Sequence, residues 1–157
     1  MNTQTTTADY HCSITADVSP KEAFDKIARV PEWWATEFEG SARKLNDIFT
    51  VRFGTTWVTF KITEATPDKT ITWYVLDCNI PSLAEKKEWK DTSVIWEILA
   101  RTNATQIDMT HLGIVPEIEC FDACRRGWNH FIKVSLTKFL NEGEGLPEGP
   151  GRPRAAR

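Results

Sequence analysis

Apolar and polar residues alternate through most of this chain, and the alternation gives way to helical spacing near both ends. Tyr10, Cys12, Ile14 and Ala16 share one face of a strand predicted over residues 10–18. Ser19-Pro20-Lys21-Glu22 then signals a helix start: Ser caps, Pro takes the first helical position, and Glu22 can close a capping box. Phe24, Ile27 and Ala28 make the apolar stripe of this short helix. Val30-Pro31 ends it, because a residue before proline is pushed out of the helical region. Pro31 can itself open a second short helix through Trp33-Trp34.

A run of strands is predicted next, over residues 42–45, 48–53, 56–64, 70–78, 93–100 and 105–112. Asn46-Asp47, Gly54-Thr55, Pro67-Asp68-Lys69 and Thr102-Asn103-Ala104 supply the turns. Residues 79–91 read as a charged, irregular connection. Ile71, Trp73 and Val75 share a face, as do Val94, Trp96 and Ile98, and then Ile107, Met109 and His111. From about Pro116 the spacing becomes helical. Phe121, Cys124, Trp128, Phe131, Ile132, Ser135, Leu136 and Phe139 form one stripe of a helix of about 25 residues. Gly127 lies inside it and is expected to mark a close backbone approach. Gly143 and Gly145 stop the helix.

This order predicts an α+β fold with an antiparallel sheet, since hairpin-length turns join most of the strands. The long helix lies across the curved sheet, the two short helices close one end, and an internal apolar cavity is expected between them. One domain is predicted over residues 10–147, between a polar leader at 1–9 and a disordered Gly-, Pro- and Arg-rich tail at 148–157.

Composition narrows the function classes. Nineteen basic against 22 acidic residues leave a net charge of −3, which lacks the basic footprint of a nucleic-acid binder. No apolar run approaches the length of a membrane span, and the Thr-rich start is no secretory signal, so a cytoplasmic location is expected. Cys12, Cys78, Cys120 and Cys124 are then expected to be reduced, buried thiols. Cys120 and Cys124 stand one helical turn apart but lack further ligands at metal-site spacing, so neither metal nor cofactor is predicted. No phosphate-binding loop, dinucleotide fingerprint, nucleophile elbow or zinc-protease motif is present. Seven Trp residues point to a bulky core or an apolar-lined site.

Three segments carry a resemblance to a known family. Ser19-Pro20 through Phe24 to Trp33-Trp34 resembles an opening helix with a double-tryptophan element. Residues 105–113 (TQIDMTHLG) resemble a last strand, and Gly127-Trp128 through Ile132, Leu136, Leu140, Gly143, Gly145 and Pro147 resembles a closing helix with its Gly-Pro exit. Together they resemble the helix-grip fold of the START-like (SRPBCC) superfamily, nearest to homologues of the activator of heat-shock-protein ATPase. Asn46-Asp47 departs from the double glycine that members often carry there, and the turn before Trp57 lacks extra glycines.

The resemblance implies an apolar or amphipathic small-molecule ligand in an internal cavity, a lipid, aromatic or polyketide-like molecule. It also allows two alternatives: a co-chaperone acting on a heat-shock ATPase as monomer or homodimer, and a cyclase or dehydratase using His111 as acid/base. The expected ligand-facing residues are Trp34, Phe53, Phe60, Trp73, Trp96, Met109, His111, Cys124 and Trp128, with Trp89 at the cavity mouth. Each has a plainer reading as core packing, and a satisfied core histidine is the plainer reading of His111. No catalytic residue is assigned.

Overall fold

A computed structural model describes residues 9–81, 83, 86–115 and 121–147. The predicted leader (apart from Asp9), the predicted tail, Cys120 and the first residues of the predicted long helix lie outside the described residues. Asp9 accepts the Gly113 N–H at 2.8 Å.

Strand β1 (Tyr10–Ala16) alternates buried and exposed as the sequence requires. Helix α1 (Pro20–Ile27) starts on Ser19, whose Oγ accepts the Glu22 N–H at 3.1 Å. The single turn α2 (Val30–Trp33) follows. Then come β2 (Glu37–Gly40), β3 (Ile48–Phe53), β4 (Thr56–Thr66), β5 (Thr70–Asn79), β6 (Ser93–Arg101) and β7 (Ala104–Leu112). All pairings are antiparallel, in the order β1-β7-β6-β5-β4-β3-β2, so β2 to β7 form a meander and β1 docks beside the last strand.

Two register shifts between β4 and β5 leave Thr63 and Leu76 without ladder partners. Such bulges bend and twist a sheet. They also explain why Val75 and Cys78 are both buried although they lie three residues apart.

The expected strand at residues 42–45 is not formed; its place in the sheet is taken by β2, five residues earlier. The reason is Asp47. Its carboxylate accepts from Ser41 Oγ at 2.8 Å, from the Arg43 and Lys44 N–H groups at 3.0 Å, and from Lys44 Nζ at 3.1 Å, folding residues 41–47 into a loop. Burial opposes the charge, but the donors from Ser41, Lys44 and the backbone outweigh it and hold the carboxyl well below its usual range.

The C-terminal helix is continuous but not uniform. It runs as α3 (Phe121–Trp128), a π-helical segment (Asn129–Leu136) and α4 (Thr137–Glu142). Trp128, Ile132, Leu136 and Leu140 are all buried at steps of four. In an α-helix a four-residue step overshoots one turn by about 40°. The wider π turn, with the Thr137 N–H reaching Ile132 O, absorbs that drift and keeps the four side chains on the sheet. The helix lies along β1, with Asn129 Oδ1 accepting from Tyr10 OH at 2.6 Å and Asn141 Oδ1 from the Asp17 N–H at 2.8 Å.

Gly127 does not mark a close approach: a Cβ built there meets nothing within 4 Å. The close approach is at Gly145, where a Cβ would sit 2.6 Å from Glu32 O and 3.1 Å from Ser135 O. There the exit segment crosses α2 and the helix, and buried Ser135 joins all three. Its Oγ donates to Trp33 O at 2.6 Å and accepts the Leu146 N–H at 2.7 Å.

Candidate functional site

The inner faces of β3 to β6 present aromatic rings because alternation puts Phe49, Phe53, Phe60, Trp73 and Trp96 on one side of the sheet. Trp34, at the end of α2, drops onto them from above. Its ring lies 5.8 Å from Phe53, 5.9 Å from Phe60 and 4.9 Å from Trp128 on the helix, and it stacks on Trp73 at 6.1 Å and 7°. Trp96 joins through Trp73 at 5.4 Å. Six of the expected residues (Trp34, Phe53, Phe60, Trp73, Trp96 and Trp128) thus form one connected cluster between sheet and helix. Phe53 is half-buried and faces half-buried Phe131 of the helix at 6.4 Å. Met109 is fully buried, paired across the ladders with Trp96 and Cys12.

Sequence reasoning missed Trp33 and Phe49 as members of the cluster. Trp33 is fully buried, meets Trp96 edge-on at 5.7 Å and donates its indole N–H to Ile27 O at 3.2 Å. Phe49 packs at 4.9 Å on Phe60 and 5.1 Å on Trp73. Its parity with Val51 and Phe53 was the available signal.

His111 sits at the far side of Trp128 in a saturated network. The Trp128 indole donates to Nδ1 at 3.0 Å. Thr92 Oγ1 lies 2.8 Å from Nε2 and gives its own proton to Trp89 O at 2.6 Å. Nε2 must therefore carry the imidazole proton and donate to Thr92. Burial pushes the ring pKa down to about 3, so His111 is neutral across the physiological range. Glu64 and Asp77, both near strand ends, do not orient it: Glu64 accepts from Thr70 and Thr72 hydroxyls, and Asp77 pairs with Lys87 at 3.0 Å.

Trp89 is buried rather than suspended at a mouth. It stacks on Trp128 at 5.9 Å, meets the His111 ring edge-on at 4.6 Å and donates to Cys124 Sγ at 3.2 Å. Cys12 and Cys78 are free and buried, as expected. Cys124 is not a free thiol; it is disulfide-bonded on the first turn of α3.

Two surface depressions lie away from these residues, one of about 420 Å³ beside Asp17, Pro20 and Arg101, the other of about 260 Å³ beside Arg29, Pro31 and Phe38. Neither is lined by an expected site residue. No helix among the described residues is long and apolar enough to cross a membrane.

The sequence matches no family model and no curated protein sequence. The fold does have known counterparts. The chain is similar to the Aha1 dimer from Colwellia psychrerythraea, with 22% identity and a TM-score of 0.72 over 88% of this chain and 99% of that one. It is similar to DynU16, encoded in the dynemicin biosynthetic locus, with 15% identity and a TM-score of 0.65 over 90% of this chain but only 49% of that one. CalU16 from Micromonospora echinospora gives 16% identity and a TM-score of 0.63, over 87% and 75%. At these identities the shared property is the fold. The protein has a helix-grip fold: a curved antiparallel sheet, a long C-terminal helix laid on it, and short helices at one end.

Proposed function

We propose that this protein binds a flat, apolar small molecule between the sheet and the C-terminal helix, against the ring cluster centred on Trp34. The observation that carries this reading is that Trp34 touches rings from both walls, Phe53, Phe60 and Trp73 on the sheet and Trp128 on the helix. Half-buried Phe53 and Phe131 give the cluster an edge at the surface, and the helix backbone at Gly127 has open space beside it. Planar ring walls with few polar groups suit an aromatic or polyene ligand.

A saturable fluorescence rise of N-phenyl-1-naphthylamine, a neutral apolar dye, tests the reading. Binding should weaken at least about tenfold in Phe53→Ala, a half-buried site whose loss spares the core. Absence of saturable binding by the unaltered protein would refute it.

Proton transfer by His111 has little support from this geometry. Both ring nitrogens are engaged, and a base with its pKa near 3 is poorly matched to neutral pH. The likeness to the Aha1 dimer supports a second reading, a chaperone-type or self-associating module acting through its surface.

A further inference from the structure

We infer that the ligand is uncharged and offers hydrogen-bond acceptors to the indole N–H groups of Trp73 and Trp96. This rests on the binding reading above and names the chemistry of its ligand. Both side chains are fully buried, and neither indole nitrogen has a partner. Buried N–H groups without acceptors are rare, and each calls for an explanation. The contrast within the protein is direct, since the indoles of Trp33, Trp89 and Trp128 all have acceptors.

The two unpaired indoles are neighbours. Trp73 on β5 and Trp96 on β6 lie on the same face of adjacent strands, their rings 5.4 Å apart and inclined at 64°. Trp34 stacks on the first and Trp33 meets the second edge-on, so both donors belong to the cluster under α2. Neighbouring ring faces are weak acceptors that a carbonyl oxygen would outcompete.

The surroundings restrict the ligand further. Among the described residues the fully buried polar side chains are Thr105, His111 and Ser135, and none is charged. Thr105 Oγ1 donates to Val18 O at 2.5 Å, and His111 and Ser135 are engaged as described. The uncommitted polar atoms are therefore two donors. A carboxylate or ammonium entering here would leave water without a counter-charge, which is strongly unfavourable. A ketone, quinone or ether oxygen on a flat apolar frame is the complement.

Three probes of nearly one shape separate the outcomes: 9-fluorenone, which carries a carbonyl, fluorene, which lacks it, and fluorene-9-carboxylate, which is charged. Equilibrium dialysis should show fluorenone binding about tenfold or more tighter than either. The advantage over fluorene should shrink to about unity in the Trp73→Phe, Trp96→Phe double variant. Should that variant fail to fold, the indole region of a ¹H–¹⁵N spectrum of the unaltered protein reads the same point. Two indole resonances should move downfield with fluorenone and not with fluorene. Equal affinity for fluorenone and fluorene, or tightest binding of the carboxylate, would overturn the inference while leaving an aromatic site. No binding by any probe would overturn the site and the inference together.

Discussion

His111 and Trp96 stand on adjacent strands, with Trp96 facing Met109 two residues from His111, yet they sit in opposite polar environments. Around His111 each described donor has an acceptor: Trp128 gives to Nδ1, Nε2 gives to Thr92, and Thr92 gives to Trp89 O. Around Trp73 and Trp96 two donors have none. The residue type that most readily suggests chemistry is locked into the scaffold, and residues that read as plain core carry the open valences. A titratable residue on an inner face is informative only once its partners are known.

The largest expected effect comes from dismantling the saturated side. His111→Ala removes a fully buried ring and strands the Trp128 N–H, so it should cost about 4 kcal/mol in urea or thermal unfolding. A loss under about 1 kcal/mol would show that the network relaxes around the gap and that the contrast is overstated.

The same histidine should write a pH dependence. In the unfolded chain it titrates near pH 6.5, whereas the native ring stays neutral down to about 3. Below pH 6.5 the unfolded state therefore binds one more proton, and native stability falls as pH falls, until the folded pKa is passed. Between pH 6.5 and 4.5 this amounts to about 2.3 kcal/mol. His111→Gln can donate and accept but does not titrate, so its stability should be flatter over that interval. Parallel curves for the two proteins would assign the acid sensitivity elsewhere.

The smallest effects come from two glycines, and they test how α2 is seated over Trp73 and Trp96. Gly145→Ala drives a methyl against Glu32 O and Ser135 O and should cost about 2 kcal/mol. Gly127→Ala meets open space in a helix and should be neutral or stabilise by up to about 1 kcal/mol. If the two variants unfolded alike, the exit segment would not be packed on α2 as described.

Much of the fold was legible because it depends on short-range periodicity. Six of the seven predicted strands appear where alternation placed them, since an inner face needs apolar side chains at every second position. Ser19-Pro20 announced α1 because capping is local. The strand at residues 42–45 failed for a local reason: a single carboxylate, Asp47, collects donors from three to six residues back and folds the segment away from the sheet. β2 itself has only Phe38 as an apolar signal and is held by pairing with β3. The π-helical segment was hidden because its residues are ordinary helix formers, and its cause is the need to keep Trp128, Ile132, Leu136 and Leu140 against a curved sheet.

The candidate site divides in the same way. That Trp34, Phe53, Phe60, Trp73, Trp96 and Trp128 face inward followed from parity and helical spacing, while the likeness to helix-grip proteins rested on the resemblance of three segments, at residues 19–34, 105–113 and 127–147. Parity states which face a side chain takes. It does not state what the polar atom at its tip will meet, because that atom's partner comes from another strand, helix or loop. The Trp128–His111–Thr92–Trp89 network joins residues from α3, β7 and the loop before β6. The amino-acid sequence alone determined an apolar interior of aromatic rings between a curved sheet and a closing helix. Only the tertiary structure decided that the histidine's valences are filled and those of two tryptophans are not, because hydrogen-bond satisfaction depends on atoms brought together from distant parts of the chain.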